Sequence, residues 1–325
     1  MALTLRVLDA EAIDAVGDMR ALIEAVGHAF AELSRGVVSA PERAVVSSPG
    51  GTTLVMGASV PEQGLVTKVV SVFGGNQAQG LPTTIGLAVV LDPRTGAPIG
   101  LCDGARLTAW RTGAASGLAT SKLARPDAKI GALIGCGAQA RTQLLGSVAV
   151  RELSEVRVFG PRPSRVATFI EHMQPRVSAR LVPASGAKAA IDGADVVCVA
   201  TSSRTPVLDG ADLAPGTHIN AVGTFRLDMR ELDVTTVHRA SVFIDQRAAA
   251  RAEAGDLMAA EQAGVTSSEA WTELGRVVSG DAPGRRSNDE ITLFKSVGLA
   301  VQDVAAAAVF FEAAQAADLG HRISL

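Results

Sequence analysis

From about residue 128 the sequence alternates between apolar runs of strand length and longer runs of helical spacing. KIGALIG, EVRVFG, ADVVCVAT, HINAVG and SVFIDQ read as strands, and ARTQLLGSVAV and SRVATFIEHM as helices. Strands that are apolar at nearly every position are buried on both faces, and helices between them form the crossovers of a parallel sheet. This limits the chain to an α/β architecture over that stretch. Residues 247–264 are Ala-rich and read as helix; residues 291–314 begin as a strand and become a long helix.

The first of these strands runs into IGCGAQARTQLL, which carries Gly135-x-Gly137-x-x-Ala140 ahead of a helix. The first glycine permits a tight turn, the second lets a pyrophosphate approach the backbone, and the small third residue lets helix and strand pack closely. The helix N-terminus adds unpaired N–H groups and a positive partial charge. Dinucleotide binding is the expected role. An NAD site usually places an acid about 20 residues past this motif, for the ribose 2′-OH. Here that place holds Gly160, followed by Arg162, Ser164 and Arg165. Guanidiniums and a hydroxyl suit a 2′-phosphate, so NADP(H) is expected as the preferred cofactor, with NAD(H) the alternative.

The N-terminal part has a different texture. Ile13, Val16, Met19, Leu22, Ile23, Val26 and Phe30 fall at helical spacing, so residues 11–35 read as one amphipathic helix. Residues 37–103 are short β-rich runs split by Gly, Pro and Asn, and LDPRTGAPIG reads as a hairpin around Asp92-Pro93-Arg94-Thr95-Gly96. This segment is α+β and mostly antiparallel.

Three cations interrupt its apolar pattern. In LTAWRTGAASGLA, Arg111 shares a helical face with Leu107, Ala114, Ala115 and Leu118. A buried guanidinium needs an anion, because desolvating an unpaired charge costs several kcal/mol or more; either another part of the chain or a ligand supplies it. Lys68 alternates with Val66 and Val70, and Arg43 lies in APERAVV. Each of these two also fits a solvent-facing position, for Lys68 at a sheet edge. If the three converge, they form a pocket for a small carboxylate, beside which a nicotinamide can pass a hydride.

A net charge of −3 with no sustained basic stripe argues against nucleic-acid binding. Cys102, Cys136 and Cys198 lie far apart and the five histidines form no HxxxH pair, so no metal site is expected. No apolar run reaches the ~18–20 residues needed to span a bilayer, and acids come too early for a signal peptide. A cytoplasmic location is expected.

Together, PERAVV, VTKVVSVFGGN, LDPRTGAPIGLCDGARLTAWRTGAAS, IGCGAQA, VATSSRTPVL, THINAVGTFRLDMREL and ITLFKSVGLAVQD resemble the ornithine cyclodeaminase/mu-crystallin family over most of the chain. The resemblance implies a Rossmann-type nucleotide-binding domain at 118–304. It implies an N-terminal α+β substrate and dimerisation domain at 1–117, completed by a C-terminal helix at 305–325, and a homodimer. It places Arg43, Lys68 and Arg111 around the substrate carboxylate, and Gly137, Ala138 and Gln139, just past the turn at Gly135, at the cofactor phosphates. Thr112, Arg162, Thr201, Ser202, Val222, Gly223, Thr224, Ser296 and Gly298 follow along the rest of the cofactor. Family activities include ornithine or lysine cyclodeamination, reduction of cyclic ketimine carboxylates, alanine dehydrogenation and, in mu-crystallin, thyroid-hormone binding.

One departure narrows these. Ornithine cyclodeaminases resemble VGGDCPGKTEL after the fifth strand, with an aspartate that handles the substrate amine. Here VGTFRLDMREL places Phe225 at that position, and Asp228, three residues on, reads as a helix-start residue. The stretch resembles the ketimine-reductase branch. The expected activity is therefore NADPH-dependent reduction of a small cyclic imine carboxylate such as 1-pyrroline-2-carboxylate, with Arg111 and Arg43 on the carboxylate and Lys68 near the imine. The alternatives are an ornithine/lysine cyclodeaminase or alanine-dehydrogenase-like enzyme, and a mu-crystallin-like binding protein. Met56, Phe73 and Phe225 are the expected pocket-shaping residues.

Overall fold

A computed structural model of the chain describes residues 3–324. In order, the elements are β1 (Thr4–Leu8), α1 (Ala10–Val16), α2 (Met19–Ser34), β2 (Ala44–Ser48), β3 (Gly51–Val60), β4 (Gly64–Phe73), β5 (Thr84–Leu91), β6 (Pro98–Asp103) and α3 (Gly104–Leu123). Then follow β7 (Ile130–Ile134), α4 (Ala140–Val150), β8 (Glu155–Phe159), α5 (Pro163–Met173), β9 (Arg180–Pro183), α6 (Ala187–Ile191), β10 (Val196–Val199) and β11 (His218–Ala221). The last third contains α7 (Val234–Arg239), β12 (Ala240–Ile244), α8 (Arg247–Glu253), α9 (Gly255–Gln262), β13 (Thr272–Glu273), α10 (Leu274–Val278), β14 (Ile291–Lys295), α11 (Ala300–Ala316) and β15 (His321–Ser324). The chain forms two compact units, residues 1–111 with 299–325, and residues 112–298.

The first unit is built on a seven-stranded sheet, ordered β15-β1-β6-β5-β4-β3-β2. Its pairings are antiparallel except β1 with β6. The predicted hairpin is the β5–β6 pair. Helix α11 packs on α2 and on β3 and β4, burying Leu22, Val26 and Phe30 of α2 and Phe310 of α11. The single helix expected over 11–35 is two. Its apolar spacing is continuous, but Asp18 accepts hydrogen bonds from the N–H groups of Arg20 and Ala21 and so starts a new helix.

The other face of this sheet is open. Val69 lies opposite both Val55 and Leu87, and Ser71 opposite Ile85. Val69, Ile85, Leu87 and Ile99 are between 42% and 47% exposed, so the sheet carries an uncovered apolar surface of the kind that marks an interaction site.

The second unit has an eight-stranded sheet, ordered β13-β12-β14-β11-β10-β7-β8-β9. All its pairings are parallel. From β7 the chain steps outward through β8 and β9, then returns to β10 on the other side of β7. Ligands in such sheets bind at this reversal, beyond the carboxyl ends of the strands. Within this unit, α3 and α4 approach at backbone contact. A Cβ on Gly113 would lie 2.3 Å from the Thr142 carbonyl oxygen, and one on Gly146 2.2 Å from that of Gly113. The helix expected over 247–264 is also two, α8 and α9. The break falls at Ala254, and α9 opens on Gly255, where a Cβ would lie 2.3 Å from the Met229 carbonyl oxygen.

Candidate active site

In the first unit, Lys68 lies on central strand β4, between β3 and β5, so the edge-strand reading is excluded. It shares the helix-covered face with Val66 and Val70, and all three are buried. Its ammonium donates to Asp303 Oδ1 at 2.7 Å and to Thr108 Oγ1 at 2.9 Å. Arg111, on the buried face of α3 with Leu107, Ala114, Ala115 and Leu118, reaches the same oxygen with Nε at 3.2 Å and donates from Nη1 to Gln302 Oε1 at 2.5 Å. Lys68 and Asp303 are each only 1% exposed.

The anion that Arg111 needs is therefore supplied by the chain. Of the two sources considered, the structure shows the first: Asp303 on α11 pairs with both Arg111 and Lys68. The neighbouring Trp110 also meets α11. Its ring meets Phe310 of α11 edge-on at 6.2 Å, and its Nε1 donates to Asp14 Oδ1 at 2.8 Å. Arg43, half-buried just ahead of β2, contributes its charge to Lys68 at longer range. Lys68 and Arg111 thus share one carboxylate oxygen.

Burial pushes the Lys68 amine down to about 8, opposed by Asp303 and reinforced by Arg111 and Arg43. A lysine in that range can give up or take a proton near neutral pH. Asp303 and Gln302 went unrecognised in the sequence. Their signal was the lone acid in VQDVAAAAVFF, the counterpart of the lone base in the α3 run.

In the second unit, the glycine turn joins β7 to α4. Gly135 has φ +109°, and a Cβ there would lie 2.5 Å from the Ala200 carbonyl oxygen. Gly137 and Ala138 are exposed, and the space a Gly137 Cβ would take is open. Arg162, Ser164 and Arg165 are exposed at the start of α5.

A buried network holds the neighbouring strand ends. Glu231 Oε1 accepts the N–H of Thr201, past β10, at 2.5 Å and its hydroxyl at 3.0 Å, while Oε2 accepts the N–H of Gly223, past β11, at 2.8 Å. Asp256 Oδ1 accepts the N–H groups of Glu231 and Leu232 at 2.6 and 2.9 Å. Its Oδ2 takes the Thr224 hydroxyl at 3.0 Å and pairs with Lys295 at 2.9 Å. Burial pushes the Glu231 carboxyl up to about 7, opposed by Lys295 and the Thr201 N–H. Asp245 Oδ2 ties down the turn after β14, accepting Ser296 Oγ, Val297 N and Gly298 N at 2.8–2.9 Å.

The family model for the ornithine cyclodeaminase/mu-crystallin family matches residues 5–318. The chain belongs to that family. Delta(1)-pyrroline-2-carboxylate reductase of Bacillus cereus is 36% identical over 94% of this chain and 95% of its own length. The Thermococcus litoralis Delta(1)-pyrroline-2-carboxylate reductase, solved in complex with NADH and L-proline, superposes with a TM-score of 0.94 at 36% identity, covering 98% of this chain and 100% of that one. An archaeal alanine dehydrogenase dimer with bound NAD gives 0.90 at 33% identity, covering 99% of each chain.

A nicotinamide dinucleotide fits the second unit of this family member. Helix α4 opens without a side-chain cap at Gln139, whose Oε1 is buried without a hydrogen-bond partner, and the backbone of Gly137 and Ala138 is open to an approaching pyrophosphate. Thr201, Ser202, Val222 and Gly223 lie just past β10 and β11, at the carboxyl end of the sheet. Thr224 and Ser296 lie there too, with their hydroxyls turned into the Asp256–Lys295 and Asp245 contacts, and Gly298 and Thr112 are buried. Asp228 starts no helix. It sits in an exposed turn, paired with Arg226 at 2.9 Å and Arg204 at 3.4 Å; α7 begins instead after Asp233, whose Oδ1 accepts the Thr236 N–H at 2.7 Å. Among the described residues, no group of three or more His, Cys, Asp or Glu is placed to hold a metal, and no helix is long and apolar enough to cross a membrane.

Proposed function

We propose that the chain is an NAD(P)H-dependent reductase of a small cyclic imine carboxylate of the 1-pyrroline-2-carboxylate class, producing the cyclic amino acid. The observation that carries this reading is the Lys68 cluster, a buried amine of near-neutral proton affinity among guanidiniums, in a chain so similar to reductases of that name. Arg111 and Arg43 attract and orient the substrate carboxylate, with Asp303 offsetting part of the cationic charge. Lys68 gives a proton to the substrate nitrogen. Bound nicotinamide supplies the hydride. The chain's task is orientation, with the reacting atoms held about 3–3.5 Å apart. The test is NADPH and NADH consumption with 1-pyrroline-2-carboxylate and its six-membered homologue. Turnover with proline or its homologue as product supports the reading; without imine reduction, ammonia release from alanine replaces it with an alanine dehydrogenase's reaction, and ammonia release from ornithine or lysine with a cyclodeaminase's.

The Gly135–Gln139 turn would hold the dinucleotide's pyrophosphate, and Thr201, Ser202, Val222 and Gly223 would flank its nicotinamide half. We read Arg162, Ser164 and Arg165 as a 2′-phosphate site favouring NADPH, because no acid follows β8 and a guanidinium grips phosphate with paired hydrogen bonds. The expected result is a lower KM for NADPH than for NADH. Replacing Arg162 and Arg165 by alanine should raise the NADPH KM about 10-fold or more, even one charge-assisted contact being worth roughly 1.5–3 kcal/mol, with little change for NADH. Equal KM values in the unaltered enzyme contradict this preference.

The protein acts as a homodimer, paired through the open face of the first sheet. The apolar surface around Val69, Ile85, Leu87 and Ile99 supports this, as does the dimeric alanine dehydrogenase relative. Leu87→Glu puts a charge in the middle of that face and is expected to give monomers in sedimentation analysis. A Leu87→Glu protein that sediments with the unaltered mass argues for another interface.

A further inference from the structure

We propose that Asp303 is the positioning residue of the proton-transfer step, keeping the Lys68 ammonium charged and aimed and thereby setting the upper pH limit of the enzyme. This rests on the reading of Lys68 as proton donor.

A lysine at 1% exposure has lost its water, and two guanidiniums add to the pressure on its proton. The titratable and charged groups around it come from several elements: Asp303 of α11, Arg111 of α3, Arg43 ahead of β2 and Cys102 of β6. Burial pushes the Cys102 thiol up to about 12, so it stays neutral. Among these groups Asp303 alone is an anion, and it contacts the ammonium at 2.7 Å. Among the described residues, the other acceptor bonded to Nζ is the Thr108 hydroxyl, which itself donates to the Gly104 carbonyl oxygen at 2.7 Å.

The dependence runs both ways. Asp303 Oδ1 is shared by Lys68 and Arg111, while its Oδ2 is buried without a hydrogen-bond partner among the described residues. The carboxylate is thus held by these two cations. It also fixes the direction of the Lys68 N–H bonds, with one proton spent on Oδ1 and one on Thr108 Oγ1. An ammonium carries three protons, so one remains for the substrate.

In the reaction, hydride adds to the imine carbon and the C=N π pair moves to nitrogen. Nitrogen takes the third Nζ proton, an N–H bond forms as an Nζ–H bond breaks, and Lys68 is left neutral until solvent recharges it. Recharging near neutral pH requires the anion beside it.

The test is the pH profile of kcat/KM together with a direct titration of Lys68 by NMR of lysine labelled at Cε, its signal assigned with Lys68→Met. Asp303→Asn removes the charge and keeps the shape. Loss of an opposite charge at this range lowers a lysine by about 1–3 pH units. The basic limb of kcat/KM and the Lys68 titration should both move down by that amount, and activity lost near pH 8 should return on acidification. NADPH affinity, read by fluorescence, should not change. Asp303→Glu keeps the charge and should hold both the limb and the titration near the unaltered values. An Asp303→Asn enzyme whose Lys68 titrates as before overturns the proposal, as does an Asp303→Glu enzyme with its midpoint lowered as far as the asparagine's. Because the titration needs no turnover, a shifted Lys68 in a protein that fails to reduce the imine would contradict the assigned reaction and leave the pairing intact.

Discussion

Replacing Lys68 by methionine is expected to lower kcat for imine reduction by about 10²–10⁴-fold, the usual worth of a positioned proton donor. Methionine preserves the bulk of the aliphatic stem and removes only the ammonium. The nucleotide turn lies in the other unit, so NADPH binding should survive. In the unaltered enzyme, Lys68 must be protonated to act as a donor. Its proton affinity lies near 8, so kcat/KM for reduction should be flat below that pH and fall above it. The reverse oxidation, which needs the neutral amine, should rise over the same range. Steady-state rates across pH 6–10 check both statements. A Lys68→Met enzyme within threefold of the unaltered rate contradicts the role of this amine.

The second large effect is on stability. Lys295 and Asp256 are both fully buried and 2.9 Å apart, and the lysine also donates to the Thr224 carbonyl and hydroxyl oxygens at 2.9 and 2.7 Å. Lys295→Met leaves Asp256, and beyond it Glu231, without their cation. Breaking a buried pair from one side costs about 3–5 kcal/mol, measured here by urea denaturation. Adding Asp256→Asn to Lys295→Met should recover part of the loss, because the uncompensated charge is gone. A single variant within about 0.5 kcal/mol of the unaltered protein would show that the pair carries no such weight. The effect should extend to nucleotide binding. Asp256 holds the Glu231 backbone, and Glu231 holds the N–H groups of Thr201 and Gly223.

What the sequence disclosed was mostly local. The strand–glycine turn–helix at Gly135 could be read directly, because the chemistry of a tight turn is written in adjacent residues. The burial of Lys68 between valines and of Arg111 among alanines was also visible as pattern. Their partner was not, since Lys68 and Asp303 are 235 positions apart and nothing in the spacing of one predicts the other. The lone acid in the Ala-rich α11 was a signal of the same kind as Arg111, and the two could have been matched as complementary misfits. Helix ends were the other blind spot. The apolar period runs unbroken through Gly17-Asp18, and only the capping ability of Asp18 marks the break. Asp228 and Asp233 present the same problem. Both precede apolar residues, but only Asp233 has a threonine three positions on whose N–H and hydroxyl it accepts.

The central claim is hydride delivery to the imine carbon of a cyclic substrate, and isotope transfer tests it most directly. The enzyme is incubated with 1-pyrroline-2-carboxylate and NADPH deuterated at C4 of the nicotinamide, and the product is analysed by mass spectrometry. Proline carrying one deuterium at C2 is the predicted result. Proline without the label, or no proline from protein that demonstrably binds the dinucleotide, would contradict the account.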